Sequence, residues 1–208
     1  MPKPAIELLS GTADASIILL HGLGADGFDL APVAQALNLP NVRFILPHAQ
    51  SRPVTINGGY VMPAWYDIAH TDLSREQDEA GLANARDIVA KLIQLEVARR
   101  ISSERIILAG FSQGGAVALY SGLSLELPLA GIAALSAYLP QLPTTITGLP
   151  PIWAAHGSHD DVVPLALSQA SYTRLPQAQL EMHIYPMAHE ISMNEIADLR
   201  VWLTARLA

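Results

Sequence analysis

The stretch Leu108–Leu119, LAGFSQGGAVAL, decides the reading of this chain. It places Ser112 between Gly110 and Gly114, after the apolar run RIILAG (105–110) and before the helix-like run QGGAVALYSGLSLE (113–126). A strand that turns at once into a helix leaves no room for side chains on either side of the turn, so glycines are needed there. The residue at the apex is forced into a strained backbone that lifts its hydroxyl above the sheet. The helix that follows offers free amides and partial positive charge where an oxyanion would form. Gly-x-Ser-x-Gly in this strand–turn–helix setting is the pattern of a nucleophile elbow. The same string without that setting would be an ordinary packed turn.

Outward from the elbow, short apolar runs alternate with longer amphipathic ones. SIILLH (16–21), VRFILP (42–47), LAGIAALS (129–136), PIWAAHG (151–157) and QLEMHIY (179–185) read as strands. FDLAPVAQAL (28–37), the segment 74–100, PLALSQASYTRL (164–175) and EISMNEIADLRVWLTARL (190–207) read as helices. In 74–100, Leu82, Ala85, Val89, Leu92 and Ile93 share one helical face, with an acidic start and a basic end that suit the helix dipole. The stretch 48–71, rich in Pro, Gly and aromatics, reads as a long ordered loop. Alternating helices and uniformly apolar strands predict an α/β fold, a mainly parallel sheet with helices on both faces. Ligands of such sheets bind beyond the C-terminal ends of the strands. The residues that follow each strand are therefore the ones to weigh.

A serine hydroxyl needs a base. After Ser112 the histidines are His156, His159, His183 and His189. His183 lies inside a strand and His156 ends one, whereas His189 follows the last strand in the loop PMAHE, at the correct sheet edge. His189 is the expected base. Between Ser112 and His189 the acidic residues are Glu126, Asp160, Asp161 and Glu181. Asp160 and Asp161 follow strand 151–157, again at the correct edge, and position alone does not separate them. The order Ser, Asp, His is the order this kind of fold uses. For the oxyanion, the Gln113 amide and an amide of the glycine-rich loop HGLGADG (21–27), Leu23 by position, are the candidates. His21 reads as a residue that ties that loop down. The loop lacks the lysine of a P-loop and the spacing of a dinucleotide fingerprint.

Composition narrows the remaining classes. The chain of 208 residues is expected to form one domain, 1–208, and its 50% hydrophobic content is globular. A net charge of −7 disfavours nucleic acid and anionic membranes as partners. There is no cysteine, hence no disulfide or thiol chemistry, which fits a cytoplasmic setting. No signal peptide is read at the N-terminus. The tract Leu127–His156 carries no Asp, Glu, Lys or Arg, but prolines at 128, 140, 143, 150 and 151 break it, so stable membrane insertion is not expected. No metal-ligand pattern is read: there is no His-x-x-x-His helix, and the His156–Asp161 cluster is already explained as an acid-bearing loop.

The motifs LLHGLGADG (19–27), VTINGGYVMPAWYDI (54–68), GFSQGG (110–115), HGSHDDVVP (156–164) and MAHE (187–190) stand in order along nearly the whole chain. As a set the chain resembles the small cap-less carboxylesterases of the α/β-hydrolase fold, a family that also contains acyl-protein thioesterases and lysophospholipases. The resemblance implies Ser112, Asp160 and His189 as the triad, picking Asp160 as the residue four after the HG histidine. It also supports the Leu23 and Gln113 amides for the oxyanion. Ser158 and Asp161 depart from the Asp and Pro that the family often has there. The implied function is hydrolysis of small-molecule carboxylic esters with short to medium acyl chains through an acyl-enzyme, without metal or cofactor and without a lid domain. The alternatives are a lysophospholipase or acyl-protein thioesterase acting on long chains, or, more distantly, a non-catalytic binding module. Met62, Trp65 and Tyr66 are expected to touch substrate, with Tyr60 nearby, and the uncharged loop 137–151 to line an acyl groove. Otherwise these residues are ordinary core or a homodimer interface.

Overall fold

The structure is a computed structural model that describes residues 3–208 apart from 74, 76, 144, 145, 147, 148 and 176. In chain order its elements are strands β1 (Ile6–Leu9) and β2 (Ala15–Leu20), helix α1 (Ala31–Leu37), and strands β3 (Val42–Leu46), β4 (Ser51–Val54) and β5 (Tyr60–Pro63). Helix α2 (Glu79–Ala98), strand β6 (Ile106–Phe111), helix α3 (Gln113–Ser124) and strands β7 (Gly131–Leu135) and β8 (Ile152–Gly157) come next. Helix α4 (Leu165–Tyr172), strand β9 (Leu180–Tyr185) and helix α5 (Met193–Arg206) close the chain.

The main sheet has the order β1-β3-β2-β6-β7-β8-β9, parallel except for β1, which runs antiparallel to β3. Successive strand residues face opposite sides. Ile18, Leu20, Ile106 and Leu108 pack with α2 and α3 on one side. Ile17, Leu19, Ile107 and Ala109 pack with α1 and α5 on the other. A strand covered on both faces has no solvent-facing position, which explains why β2 and β7 are buried from end to end, with Ser16 the one polar residue in them. Each such Leu or Ile contributes about 1.5–3 kcal/mol of burial. Successive strands are laid outward on one side from β2 and on the other from β6, so the switch in strand order falls between these two parallel neighbours, paired through Leu20 and Gly110. The crevice beyond this switch point is where the loops 21–27 and the Ser112 turn come together.

Several elements depart from the sequence expectation. The stretch 48–71 is not only loop, because β4 and β5 form a separate antiparallel hairpin with Gly58 and Gly59 at positive φ in its turn. Its strands are four residues long, contain Pro53 and Pro63, and are largely exposed, so they carry no apolar alternation. The edge strand β1 is as short. Helix α2 starts at Glu79 rather than at residue 74, because the Asp78 carboxylate caps it through the Gly81 amide at 2.8 Å. Residues 74 and 76 of the expected helix lie outside the described residues. Likewise α5 starts at Met193, set by the Ser192–Glu195 capping box. Among the described residues no helix is long and apolar enough to cross a membrane.

Candidate active site

Ser112 occupies the turn between β6 and α3 at φ 54° and ψ −120°, a conformation that costs a non-glycine residue about 1–3 kcal/mol. Its amide donates to Leu135 O at 2.9 Å and its carbonyl accepts from Ala116 N at 3.0 Å, which locks the turn. The flanking glycines are required by close approach. A Cβ on Gly110 would stand 2.3 Å from the Gly114 carbonyl carbon, and one on Gly114 would stand 2.1 Å from Leu20 O. β2, the elbow and the start of α3 therefore press backbone on backbone.

His189 lies between β9 and α5. Its Nε2 is 2.9 Å from Ser112 Oγ and its Nδ1 is 2.7 Å from Asp160 Oδ2. The carboxylate makes Nδ1 the donor and leaves Nε2 to accept from the serine hydroxyl. Phe111 supports the imidazole, with ring centroids 4.8 Å apart. Asp160 is buried, and its Oδ1 accepts from the Val162 and Val163 amides at 3.0 and 2.8 Å. Asp161 is exposed on the cavity wall, so Asp160 is the neighbour that meets His189. The loops that carry Asp160 and His189 are sewn together: Ser158 N donates to Tyr185 O at 2.8 Å and His159 N to Met187 O at 3.1 Å. This seam needs Gly157, where a Cβ would come within 2.3 Å of Met187 O.

Leu23 and Gln113 line the same cavity as Ser112 and His189. The loop bearing Leu23 is braced from below by His21, which donates from Nδ1 to Gly22 O at 2.7 Å and accepts at Nε2 from the Ala49 amide at 3.0 Å. Burial lowers the basicity of His21, which favours this neutral, two-sided role. The Gln113 side chain has a task the sequence did not disclose. It accepts from the Trp65 amide and donates to Tyr66 O, at 2.9 and 2.8 Å, and so ties the elbow to the segment after β5.

The cavity is about 520 Å³ and mostly apolar. Of the residues expected to touch substrate, Tyr66 lines it, with its hydroxyl 3.3 Å from that of Tyr138. Burial keeps both phenols protonated by raising their pKa. Trp65 does not line it: the ring is buried against His21 and its Nε1 donates to His21 O at 2.9 Å, so it is part of the support. Met62 also stands off the wall, its sulfur 3.4 Å from Asn57 Nδ2, and Tyr60 is exposed on the hairpin. From the loop 137–151 Tyr138 reaches the cavity, and part of that loop lies outside the described residues. Ile56, Ile68, Leu73, Phe111, Val162 and Val163 supply wall that the sequence reading missed. All but Leu73 sit inside the motifs already singled out, which was the available signal.

A model of the phospholipase/carboxylesterase family matches residues 1–207. The chain belongs to that family. It is similar to acyl-protein thioesterase 1 of Mycosarcoma maydis, 40% identical over 215 residues that cover 91% of this chain and 90% of the relative. Among solved structures it resembles Arabidopsis thaliana SOBER1, with a TM-score of 0.86 at 31% identity, covering 96% of this chain and 100% of that one. Zea mays acyl-protein thioesterase 2 has a TM-score of 0.86 at 28% identity, covering 98% and 99%. This phospholipase/carboxylesterase-family chain thus has the α/β-hydrolase fold, with no separate lid domain among the described residues, and is a serine hydrolase of the carboxylesterase and acyl-protein thioesterase type.

Proposed function

We propose that residues 1–208 form one catalytic domain that hydrolyses carboxylic esters of short to medium acyl chains, with Ser112 as nucleophile, His189 as base and Asp160 as acid. The observation that carries this reading is the unbroken line from Ser112 Oγ through both nitrogens of His189 to Asp160. As Ser112 attacks the ester carbonyl, His189 takes its proton through Nε2, and Asp160 stabilises the imidazolium through Nδ1. The Leu23 and Gln113 amides receive the oxyanion. The imidazolium then returns the proton to the leaving alcohol, and the acyl group stays on Ser112. Water, deprotonated by His189, attacks the acyl carbon; the acyl–Oγ bond breaks, the imidazolium returns its proton to Ser112 Oγ, and the acid leaves. The net charge of −7 and a site with no separate lid domain among the described residues fit a small-molecule ester, no nucleic acid and no stable membrane insertion, and the lack of cysteine fits a cytoplasmic setting.

The test is initial rates on 4-nitrophenyl esters of increasing acyl length, wild type beside Ser112→Ala. A rate that peaks at short or medium length and vanishes in the variant is the expected result. Equal rates for the two proteins would remove Ser112 from the mechanism. A second reading, hydrolysis of long-chain thioesters, is favoured by the 38–40% identity to fungal proteins named acyl-protein thioesterase 1. A higher kcat/KM on S-palmitoyl peptides than on butyrate esters would select it.

A further inference from the structure

Two buried polar atoms near the triad have no hydrogen-bond partner among the described residues: Ser136 Oγ and His156 Nδ1. Both residues are fully buried. They are neighbours across adjacent strands, because Leu135 pairs with Ala155 and the Ser136 amide donates to Ala155 O at 2.8 Å. Their needs are complementary. His156 Nε2 is 2.7 Å from Val163 O, and a carbonyl can only accept, so Nε2 carries the proton and Nδ1 is a bare acceptor. Burial lowers the basicity of His156 and keeps it neutral. The Ser136 hydroxyl is a donor without an acceptor. Its backbone is strained as well, at φ 47°, which glycine would hold without cost.

We propose that Ser136 and His156 form a second serine–histidine pair beneath the triad, closed by rotation of the Ser136 hydroxymethyl group, that fixes the tautomer of His156 and thereby positions Asp160. The link to Asp160 is short. The Nε2 that grips Val163 O lies 3.4 Å from Asp160 Oδ2, and the Val163 amide is one of the two donors on Asp160 Oδ1. In the other tautomer a nitrogen lone pair would face both the Val163 carbonyl and the carboxylate, and the acid loop would be pushed from under His189. The inference rests on Asp160 as the triad acid. Neither Ser136 nor His156 takes part in bond breaking; both are positioning residues.

The experiment is 15N NMR of the histidine rings in wild type, Ser136→Ala and Ser136→Gly, with kcat and KM on 4-nitrophenyl butyrate. The pair predicts a neutral, Nε2-protonated His156 in wild type and a downfield move of its Nδ1 resonance in both variants. It also predicts kcat lowered about tenfold with KM within about twofold. The glycine variant, relieved of the backbone strain, loses kcat like the alanine one and so separates hydroxyl from strain. If Ser136→Ala does not fold, Ser136→Gly carries the test. A His156 protonated on Nδ1, an Nδ1 resonance that stays in place, or an unchanged kcat overturns the pair. The ring spectra need no turnover, so an inert wild type would strike the proposed ester hydrolysis and leave the pairing decided by the NMR.

Discussion

Two serines of this chain lie beside a buried carboxylate, at opposite ends of the sheet. Ser16, near the start of β2, donates its hydroxyl directly to Glu96, which also receives Arg43 and Arg99, each at 2.9 Å. Ser112, just past the end of β6, reaches Asp160 only through His189. The first arrangement is closed: Ser16 sits within a regular strand paired on both sides, and two guanidiniums neutralise the carboxylate. The hydroxyl beside a carboxylate so held stays a hydrogen-bond donor. The second arrangement inserts an imidazole that can take the proton, and it opens on a cavity. The two serines differ in what stands between hydroxyl and carboxylate: nothing at Ser16, an imidazole at Ser112.

Substitutions can break this contrast. The largest expected effect is Ser112→Ala, a loss of turnover on the order of a million-fold, against a change within about twofold for Ser16→Ala. Steady-state rates on a 4-nitrophenyl ester check both. Asp160→Asn should cost about ten-thousand-fold in kcat, because the amide no longer holds the working tautomer of His189, while urea melts show the fold intact. Glu96→Ala reverses the pattern. It leaves Arg43 without its buried partner and should lower unfolding free energy by about 3–5 kcal/mol, with kcat per folded molecule preserved.

The smallest effect sharpens the contrast with a third buried carboxylate. Glu195 caps α5 through Ser192 N, but no cation meets it among the described residues and its Oε1 has no partner, so burial pushes its pKa up to about 8. The folded state holds the proton more tightly than the unfolded chain. Its contribution is fully present below about 4.5 and is lost as pH rises through about 8. Glu195→Gln should flatten that decline and gain about 1–3 kcal/mol at alkaline pH, read by thermal melts across the window. Equal slopes in the two proteins would refute it.

The elbow, the acid loop and the base loop were legible because each is a backbone event written locally: glycines where strands and turns touch, an Asp after β8, a His after β9. The closed cluster left no such trace: Glu96 lies within helix α2, its partners Ser16 and Arg43 come from strands β2 and β3, and nothing local in the sequence brings them together. The hairpin β4–β5 was not legible, because exposed four-residue strands with two prolines look like loop. Trp65 was misplaced for another reason. An aromatic beside a catalytic motif has the same composition whether it faces substrate or props the floor, and its indole bond to His21 O exists only after folding.

By itself the sequence determined the alternation of strand and helix, the turn that strains Ser112, and the order of serine, acid and histidine. Hydrophobic periodicity, steric demand for glycine and chain order all act over a few residues. Position in the sequence left Asp160 and Asp161 level and the family resemblance favoured Asp160; the tertiary structure put Asp160 against His189, and it alone decided that the cavity wall is assembled from separate segments and that Ser136 and His156 share one buried corner. Those outcomes depend on which loops the parallel sheet brings to one edge and which way each side chain then points. Contacts between residues tens of positions apart are set by packing, and packing is a property of the whole sheet.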